Sequence, residues 1–333
     1  YYLFVYKLTM KIIYLHQYFN TPDMIGGTRS YEIARRLTRR GHEVHMVTSF
    51  QGETKEKTWF KTNEDGINVY WLPVRYSNHM SYFRRVFAFL RFSLHASILA
   101  CRLKGDLIYA TSTPLTIAIP AIIAKRWTRI PMVFEVRDLW PDLPVAIGAL
   151  KNVLLIKFAK LMELAAYKNS SAIIALSPGM KAGVVKRGIS PTKVGVVPNS
   201  ADISLFTSPD NLKEPGVFSD FTWFSKCPIL VYTGTLGYIN GIGFLVDLAR
   251  ELNLINSNVK IVVIGDGVER SKIETYAISA GVLGDNFFML PPVPKAEVPQ
   301  ILYHATMVSC LFIDLPEMRS NSANKFFDGL AAG

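Results

Sequence analysis

Cysteine is scarce in this sequence. The three present among 333 residues, Cys101, Cys227 and Cys310, lie far apart and show neither C-x-x-C nor Cys/His ligand spacing. Neither a disulfide framework nor a cysteine-based zinc site is indicated, and a reducing cytosol fits best. Charge is thin as well, at 19% against 50% hydrophobic residues, which excludes a disordered chain and leaves enough apolar material for a substantial core. No G-x-G-x-x-G fingerprint occurs, which argues against a dinucleotide cofactor. Neither internal repeats nor low-complexity tracts are present. No apolar run reads as long enough to span a bilayer, and Ile117 to Ala124 falls well short.

The ends carry their own expectations. The chain opens on Tyr1, and residues 1–9 form an apolar, aromatic run without the regions of a signal peptide, so they read as an extension before a natural start at Met10. The chain stops at Ala331-Ala332-Gly333, where a glycine would cap a helix, so more chain is expected to follow.

Charge is unevenly spread. Residues 1–200 hold 28 basic against 12 acidic side chains, a net +16, whereas residues 201–333 hold 9 against 14, a net −5. A basic half suits a phosphorylated substrate, an anionic membrane surface or nucleic acid. Nucleic acid rests on charge alone and is not expected as a partner.

Short apolar runs alternate with helical periods along the chain, the pattern of parallel sheets covered by helices. Strands are expected near 11–16, 43–48, 67–72, 106–110, 131–136, 172–175 and 193–197. The alternation pauses after Pro198-Asn199-Ser200 and restarts at Ile229-Leu230-Val231-Tyr232, Lys260 to Ile264 and Phe287-Phe288-Met289. The fold class is therefore α/β, with two Rossmann-like, doubly wound domains, 10–200 and 228–333, joined by a polar linker at 201–227. A ligand is expected beyond the carboxyl ends of the strands, in a cleft between the two.

Four segments follow strands in the manner of binding loops. Gly26-Gly27-Thr28 opens a helix, where exposed amides and the helix N-terminus suit a phosphate; the same residues suit a tight turn with Thr28 as cap. Arg137 and Asp138 end a buried strand in Glu135-Val136-Arg137-Asp138-Leu139-Trp140-Pro141. Asp138 could orient an acceptor hydroxyl and Arg137 a phosphate, or Arg137 could pair with a neighbouring carboxylate and close the strand end. Gly234 and Thr235 mirror the first loop, and Gly265-Asp266-Gly267 repeats the pattern where a base or ribose could lie. Lys325 and Asp328, on the last helix, offer a phosphate cation and a ribose carboxylate, or one solvated charge pair. His16 reads as structural. Tyr82 to Arg102 interleaves aromatics with Arg84, Arg85, Arg91 and Arg102, and suits either an anionic bilayer or a core helix with snorkelling arginines.

Taken together these segments resemble glycosyltransferase family 4, of the two-domain GT-B fold. The resemblance rests on M-K-I-I-Y-L-H-Q-Y-F with Gly26-Gly27-Thr28-Arg29, on E-V-R-D-L-W-P at 135–141, on Ser177-Pro178-Gly179-Met180-Lys181, on Val197 to Asp202 with Phe206, and on N-K-F-F-D-G-L-A-A-G at the end. It implies a retaining, metal-independent transfer from a nucleotide-sugar, UDP-linked, to a lipid-linked or saccharide acceptor in bacterial surface-polysaccharide synthesis. O-antigen, lipopolysaccharide and capsule synthesis are such settings, and the branch is that of fucosamine transferases. The implied location is the inner face of the plasma membrane, with no cofactor. The absence of any Asp-x-Asp pair agrees with the metal-free reading. Three departures stand out. The family's Glu-x7-Glu falls on Ser320 and Asp328. Tyr238 and Asn240 stand where many members carry Arg and Lys, which leaves Lys325 to neutralise phosphate. Family members also continue past the final A-A-G. A sugar-nucleotide epimerase and a non-catalytic nucleotide-binding or membrane-scaffold protein are the competing readings.

Overall fold

The computed structural model describes residues 9–74, 82–206, 215–224 and 226–333, with the side chains of 82–85 outside that description. The residues gather into two compact units. The first takes residues up to Thr21, Arg29–Pro198 and Leu315–Ser322; the second takes Pro22–Thr28, Asn199–Asp314 and Ala323–Gly333.

The first unit is an eight-stranded sheet in the order β3-β4-β2-β1-β5-β6-β7-β8. Its strands are β1 (Lys11–Leu15), β2 (Glu43–Phe50), β3 (Phe60–Glu64), β4 (Ile67–Pro73), β5 (Leu107–Thr111), β6 (Met132–Val136), β7 (Ala172–Ala175) and β8 (Val194–Val196). All neighbours run parallel except β3, which folds back on β4. The strand order reverses between β1 and β5, where Leu15 stands beside Val47 on one side and Ala110 on the other. The helices are α1 (Arg29–Arg39), α2 (Tyr82–Leu103), α3 (Ala118–Thr128), α4 (Asp142–Ala146), α5 (Val153–Asn169) and α6 (Pro178–Lys186).

The period of two along each strand gives the sheet two unlike faces. Ile13, Leu15, Ile108, Ala110, Phe134, Val136, Ile173 and Ala175 join one dry cluster with Ala88, Phe92, Ala96 and Ala100 of α2 and Ala118, Ala121 and Ala124 of α3. On the alternate positions the rings of Tyr14 and Tyr109 meet at a tilt of 51°, centroids 4.6 Å apart. Beside them Glu135, fully buried, takes Nε (3.0 Å) and Nη2 (2.8 Å) of Arg29 at the start of α1.

The second unit carries a parallel sheet β11-β10-β9-β12. Its elements are β9 (Ile229–Thr233), α7 (Gly243–Leu254), β10 (Lys260–Ile264), α8 (Arg270–Ser279), β11 (Phe287–Leu290), α9 (Val298–Tyr303), β12 (Met307–Val308) and α10 (Asn324–Ala332). Here the order reverses between β9 and β12. Within the stretch expected as a linker, the described residues 215–224 are in fact part of this core. Phe218, Phe221, Trp223 and Phe224 pack with Ile229, Val231, Val262, Ile264 and Phe288, because burying four aromatics outweighs the polar, proline-rich character of their surroundings. A second expectation is corrected by α2: within it Val86–Leu103 is, by length and composition, long and apolar enough to cross a membrane, although a third of it is buried in the protein.

Removing one member of a buried ion pair strands the other charge. Arg29→Met is therefore expected to destabilise the first unit by about 3–5 kcal/mol, and Arg29→Met combined with Glu135→Leu to recover much of that loss. Urea unfolding followed by tryptophan fluorescence reads both; a loss under about 1 kcal/mol for the single variant would remove the pair from its structural role.

Candidate functional site

In the first unit the expected pair, Arg137 and Asp138, stands just past β6, next to the strand-order reversal at β1 and β5. The ends of β5 and β6 are zipped by Ser112 N–H donating to Glu135 O (2.9 Å) and Arg137 N–H donating to Ser112 Oγ (2.8 Å). Thr113 Oγ1 then donates to Asp138 Oδ2 at 3.0 Å, with Thr113 itself at φ +89°, a conformation that costs a β-branched residue energy. Among the described residues nothing donates to Asp138 Oδ1.

Among the described residues Arg137 pairs with no carboxylate, which one of its sequence readings expects; Arg29 fills that role toward Glu135. Arg137 Nη1 instead lies 3.4 Å from His16 Nε2, one residue past β1. Burial, with the Arg137 charge beside it, holds the imidazole well below its ordinary range, so His16 is neutral. A guanidinium is always a donor, which fixes Nε2 as acceptor and the proton on Nδ1, a buried atom without a hydrogen-bond partner among the described residues.

A cavity of about 50 Å³ in the same unit is lined by Asp138, Asp142, Met180, Glu317 and Ser320 among others. It has room for a few waters and none for a sugar. Ser177, Pro178 and Gly179 explain themselves structurally. Ser177 Oγ accepts from Met180 N–H as the α6 cap and donates to Ser320 O, and a Cβ on Gly179 would lie 2.6 Å from Ser320 Cβ. Ser320, which occupies the first carboxylate position of the family pair, is thus a packing residue of the first unit, whereas Asp328 belongs to the second.

In the second unit Gly234 and Thr235 leave β9 at its carboxyl end. Gly234, at φ +137°, gives its N–H to Ile264 O (2.9 Å), and Leu236 gives its own to Asp266 O (2.9 Å). Of the two amides expected to be offered to a phosphate, the Gly234 N–H is therefore taken by the β9–β10 ladder. Thr235 N–H alone in this run has no acceptor among the described residues.

Gly265 and Gly267 are glycines for a different reason than ligand approach. A Cβ at Gly265 would lie 1.9 Å from Gly234 O, and one at Gly267 would lie 2.4 Å from Leu236 O. The loops after β9 and β10 are in backbone contact, and between them Asp266 is exposed.

Lys325, on the first turn of α10, reaches this same strand end. Its Nζ donates to Tyr232 Oη (2.6 Å) and lies 3.8 Å from that ring's centroid, while Tyr232 Oη donates onward to Thr235 O (2.8 Å). No carboxylate pairs with Lys325 among the described residues. Burial pulls its ammonium down to about 8. Asp328, one turn on and buried, is instead ion-paired with Lys295, whose backbone N–H reaches Met24 O on the loop that carries the exposed Gly26 and Gly27. Sequence reasoning misses Arg270, whose Nη1 donates to Gly265 O (2.5 Å) and Leu290 O (3.1 Å), bridging the ends of β10 and β11. Its signal is a basic residue opening the helix after Gly265-Asp266-Gly267. No group of three His, Cys, Asp or Glu side chains is arranged to hold a metal among the described residues.

Two sheets with reversal points, each carrying polar loops at its carboxyl edge, define the architecture, and a family model of the glycosyl transferase 4-like domain matches residues 26–200, more than half the chain. The chain belongs to the glycosyltransferase 4-like family. It is similar to a phosphatidylinositol N-acetylglucosaminyltransferase component of Arabidopsis thaliana, 24% identical over 272 residues that cover 82% of this chain and 55% of that protein. It is also similar to the putative colanic acid biosynthesis glycosyl transferase WcaI of Escherichia coli K12, 20% identical over 284 residues, 81% of this chain and 69% of the relative. The chain thus spans about half the length of the Arabidopsis relative. Among solved structures, Anabaena HepE in complex with UDP and glucose superposes with a TM-score of 0.66 at 16% identity, covering 97% of this chain and 78% of that one. At that identity the likeness is one of fold, and the fold is GT-B.

The glycine geometry predicts an asymmetry. Gly265→Ala sets a methyl against a backbone carbonyl and is expected to cost more than about 2 kcal/mol, whereas Gly234→Ala meets the movable tip of Lys325 and costs about 1 kcal/mol through its positive φ. Thermal unfolding of the two variants side by side checks the order.

Proposed function

We propose that this family member transfers a sugar, an N-acetylated amino sugar or deoxysugar, from a UDP-linked donor to a lipid-linked or saccharide acceptor of bacterial surface-polysaccharide synthesis. The setting is that of O-antigen, lipopolysaccharide or capsule assembly, and the branch that of fucosamine transferases. The observation that carries the reading is Lys325: a half-buried cation without a carboxylate partner among the described residues, beside Gly234, where strand order reverses between β9 and β12. Such a point collects ligands in open α/β sheets, and an unneutralised lysine there selects an anion. The HepE structure, of the same fold, is a complex with UDP and glucose, and the Arabidopsis and E. coli relatives are named as sugar transferases.

In the proposed reaction the bond from the anomeric carbon to the β-phosphate oxygen breaks, UDP leaves, and the acceptor oxygen, its proton passing to the Asp138 carboxylate, bonds to that carbon with retention of configuration. Negative charge grows on the leaving diphosphate, so donors fixed in place there stabilise the transition state more than the ground state. Lys325 and the Thr235 amide take that role, with Gly26 and Gly27 as a second set of exposed amides and no metal required. Gly265, Asp266 and Gly267 border the nucleotide, and the Asp328 oxygen that Lys295 leaves open accepts from ribose. On the acceptor side Asp138 receives or orients the hydroxyl through Oδ1 while Thr113 holds Oδ2, and Arg137 contributes a donor that His16 does not use. The protein works in the cytoplasm, at the inner face of the plasma membrane.

Lys325 gives the reading a pH signature. Its ammonium is present below about 8 and lost above it, and a bound diphosphate favours the charged form, so affinity falls as pH rises through 8. The UDP dissociation constant is expected to rise by up to about tenfold per pH unit above that point. Lys325→Gln should weaken binding by about tenfold to a hundredfold at a pH of about 7 and flatten the pH dependence. Titration calorimetry measures both, and an unchanged affinity in the glutamine variant removes Lys325 from the site.

The reaction itself is read by UDP release from a panel of UDP-, GDP- and dTDP-sugars with bacterial lipid extract, with and without EDTA. Release that needs one donor and the lipid, and survives EDTA, is the expected result. Interconversion of free UDP-sugars without an acceptor identifies an epimerase, and nucleotide binding with neither outcome sinks the enzyme reading.

A further inference from the structure

Helices α2, α3 and α5 pack side by side, α2 on α3 and α3 on α5, along one face of the first sheet. Each turns alanines inward and most of its large residues outward, Phe92 of α2 and Tyr167 of α5 being large side chains that are buried. On α2, Ala88, Ala96 and Ala100 are buried with Phe92, while Phe87, Leu90, Leu94 and Ile98 are exposed. On α3, Ala118, Ala121 and Ala124 are buried while Ile123 and Trp127 are exposed, and on α5 Ala159 and Ala166 are buried while Leu154, Phe158 and Leu161 are exposed. A surface helix of a soluble domain shows the reverse order. Single exposed apolar residues are ordinary, but Phe87 at 69%, Trp127 at 80% and Leu154 at 75% exposure on three adjoining helices make a face that wants a covering.

The charge on these helices is of one sign. Arg91 sits one turn from both Phe87 and Leu94, Arg126 beside Ile123 and Trp127, and Lys157 one turn from both Leu154 and Leu161, with Lys160, Lys168 and Arg102 also exposed. The three helices contain a single acidic residue, Glu163, which is buried, 3.1 Å from Arg187 and hydrogen-bonded by Tyr167, and so neutralises nothing outside.

We infer that the α2/α3/α5 face rests on an anionic phospholipid surface, with Phe87, Leu94, Trp127, Leu154, Phe158 and Leu161 at the acyl boundary and Arg91, Arg126, Lys157 and Lys160 against the headgroup phosphates. Stable attachment takes two signals, apolar insertion and a basic patch, and this face supplies both. A second copy of the chain is disfavoured as the occupant because it would set these cations against their own like. The inference deepens the proposed function by saying which surface meets the membrane that holds a lipid-linked acceptor, and it rests on that reading only for the acceptor.

The test uses vesicles of phosphatidylcholine alone or mixed with phosphatidylglycerol, with no sugar donor present. Partitioning should be at least about tenfold stronger onto the anionic vesicles and should weaken as salt is raised. Brominated lipids should quench wild-type emission, and Trp127→Phe should abolish most of the quenching. The triple variant Phe87→Ser, Trp127→Ser, Leu154→Ser should leave the vesicles yet keep wild-type UDP affinity. Binding indifferent to lipid charge, or unquenched Trp127, overturns the inference. So does a dimer in light scattering that the triple variant dissociates, which would assign the face to a second copy. Loss of transferase activity with vesicle binding intact counts against the proposed reaction and leaves the membrane face standing.

Discussion

Glu135 is fully buried in the middle of the first sheet, and the arrangement of that unit's functional edge follows from how its charge is met. Arg29 approaches from the start of α1, Tyr109 donates at 3.0 Å and Thr111 also donates, so β5, β6 and α1 share one carboxylate. The same guanidinium donates to Val197 O (2.9 Å) and Pro198 O (2.7 Å), where the chain leaves β8. An unmet carboxylate at this depth would cost several kcal/mol, so these elements are held in one mutual position or the unit does not form. Arg137 and Asp138 come two and three residues later on the same strand line. Their freedom to meet His16 and Thr113, rather than Glu135, exists because Arg29 has already satisfied the buried charge.

A parallel logic governs the second unit. Two lysines, Lys325 on α10 and Lys295 beside it, come to that helix, and α10 carries one carboxylate, Asp328, to meet them. Lys295 takes it. Lys325 is left with a phenol and the face of an aromatic ring, partners that orient an ammonium without neutralising it. The loop glycines around it hold two backbone segments in contact, and that contact leaves most of their amides already used. On the loop after β9 what remains to bind an anion is the Thr235 amide beside Lys325, a smaller set than its glycines suggest.

Strand periodicity makes the fold legible. The seven strands expected in the first half all exist, displaced by about two residues at most, because alternating apolar runs in a parallel sheet leave little ambiguity. β3 escapes a reading by period although Asp65-Gly66, both at positive φ, is a strong hairpin signal; its polar sequence Phe60–Glu64 belongs to an edge strand and lacks an apolar face. β12 escapes it because two residues carry no period at all. The site is legible as positions and less so as partners. Lys325 and Asp328 read either as ligands of phosphate and ribose or as one solvated charge pair, yet Asp328 pairs with Lys295, thirty-three positions earlier and invisible to any local pattern. Arg137 reads either as a phosphate contact or as the closing partner of a carboxylate, and the second role is one that Arg29 fills across 106 residues of chain.

The basic excess of the first 200 residues also changes meaning once located. A net +16 invites the thought of a positively charged binding site. Yet the arginines nearest the strand ends are engaged: Arg29 with Glu135, Arg137 with His16, and Arg187 with Asp142 and Glu163. Part of the exposed excess, Arg91, Arg102, Arg126, Lys157, Lys160 and Lys168, sits on the outer sides of α2, α3 and α5, among side chains that are themselves exposed and apolar. Bulk charge therefore reports in part on the outside of the helical layer and not only on the strand ends. The alanines beneath explain how that layer tolerates it, since small inward residues let the helices seat closely on the sheet, with Phe92 and Tyr167 filling the core between them, while most of the other bulky side chains face out.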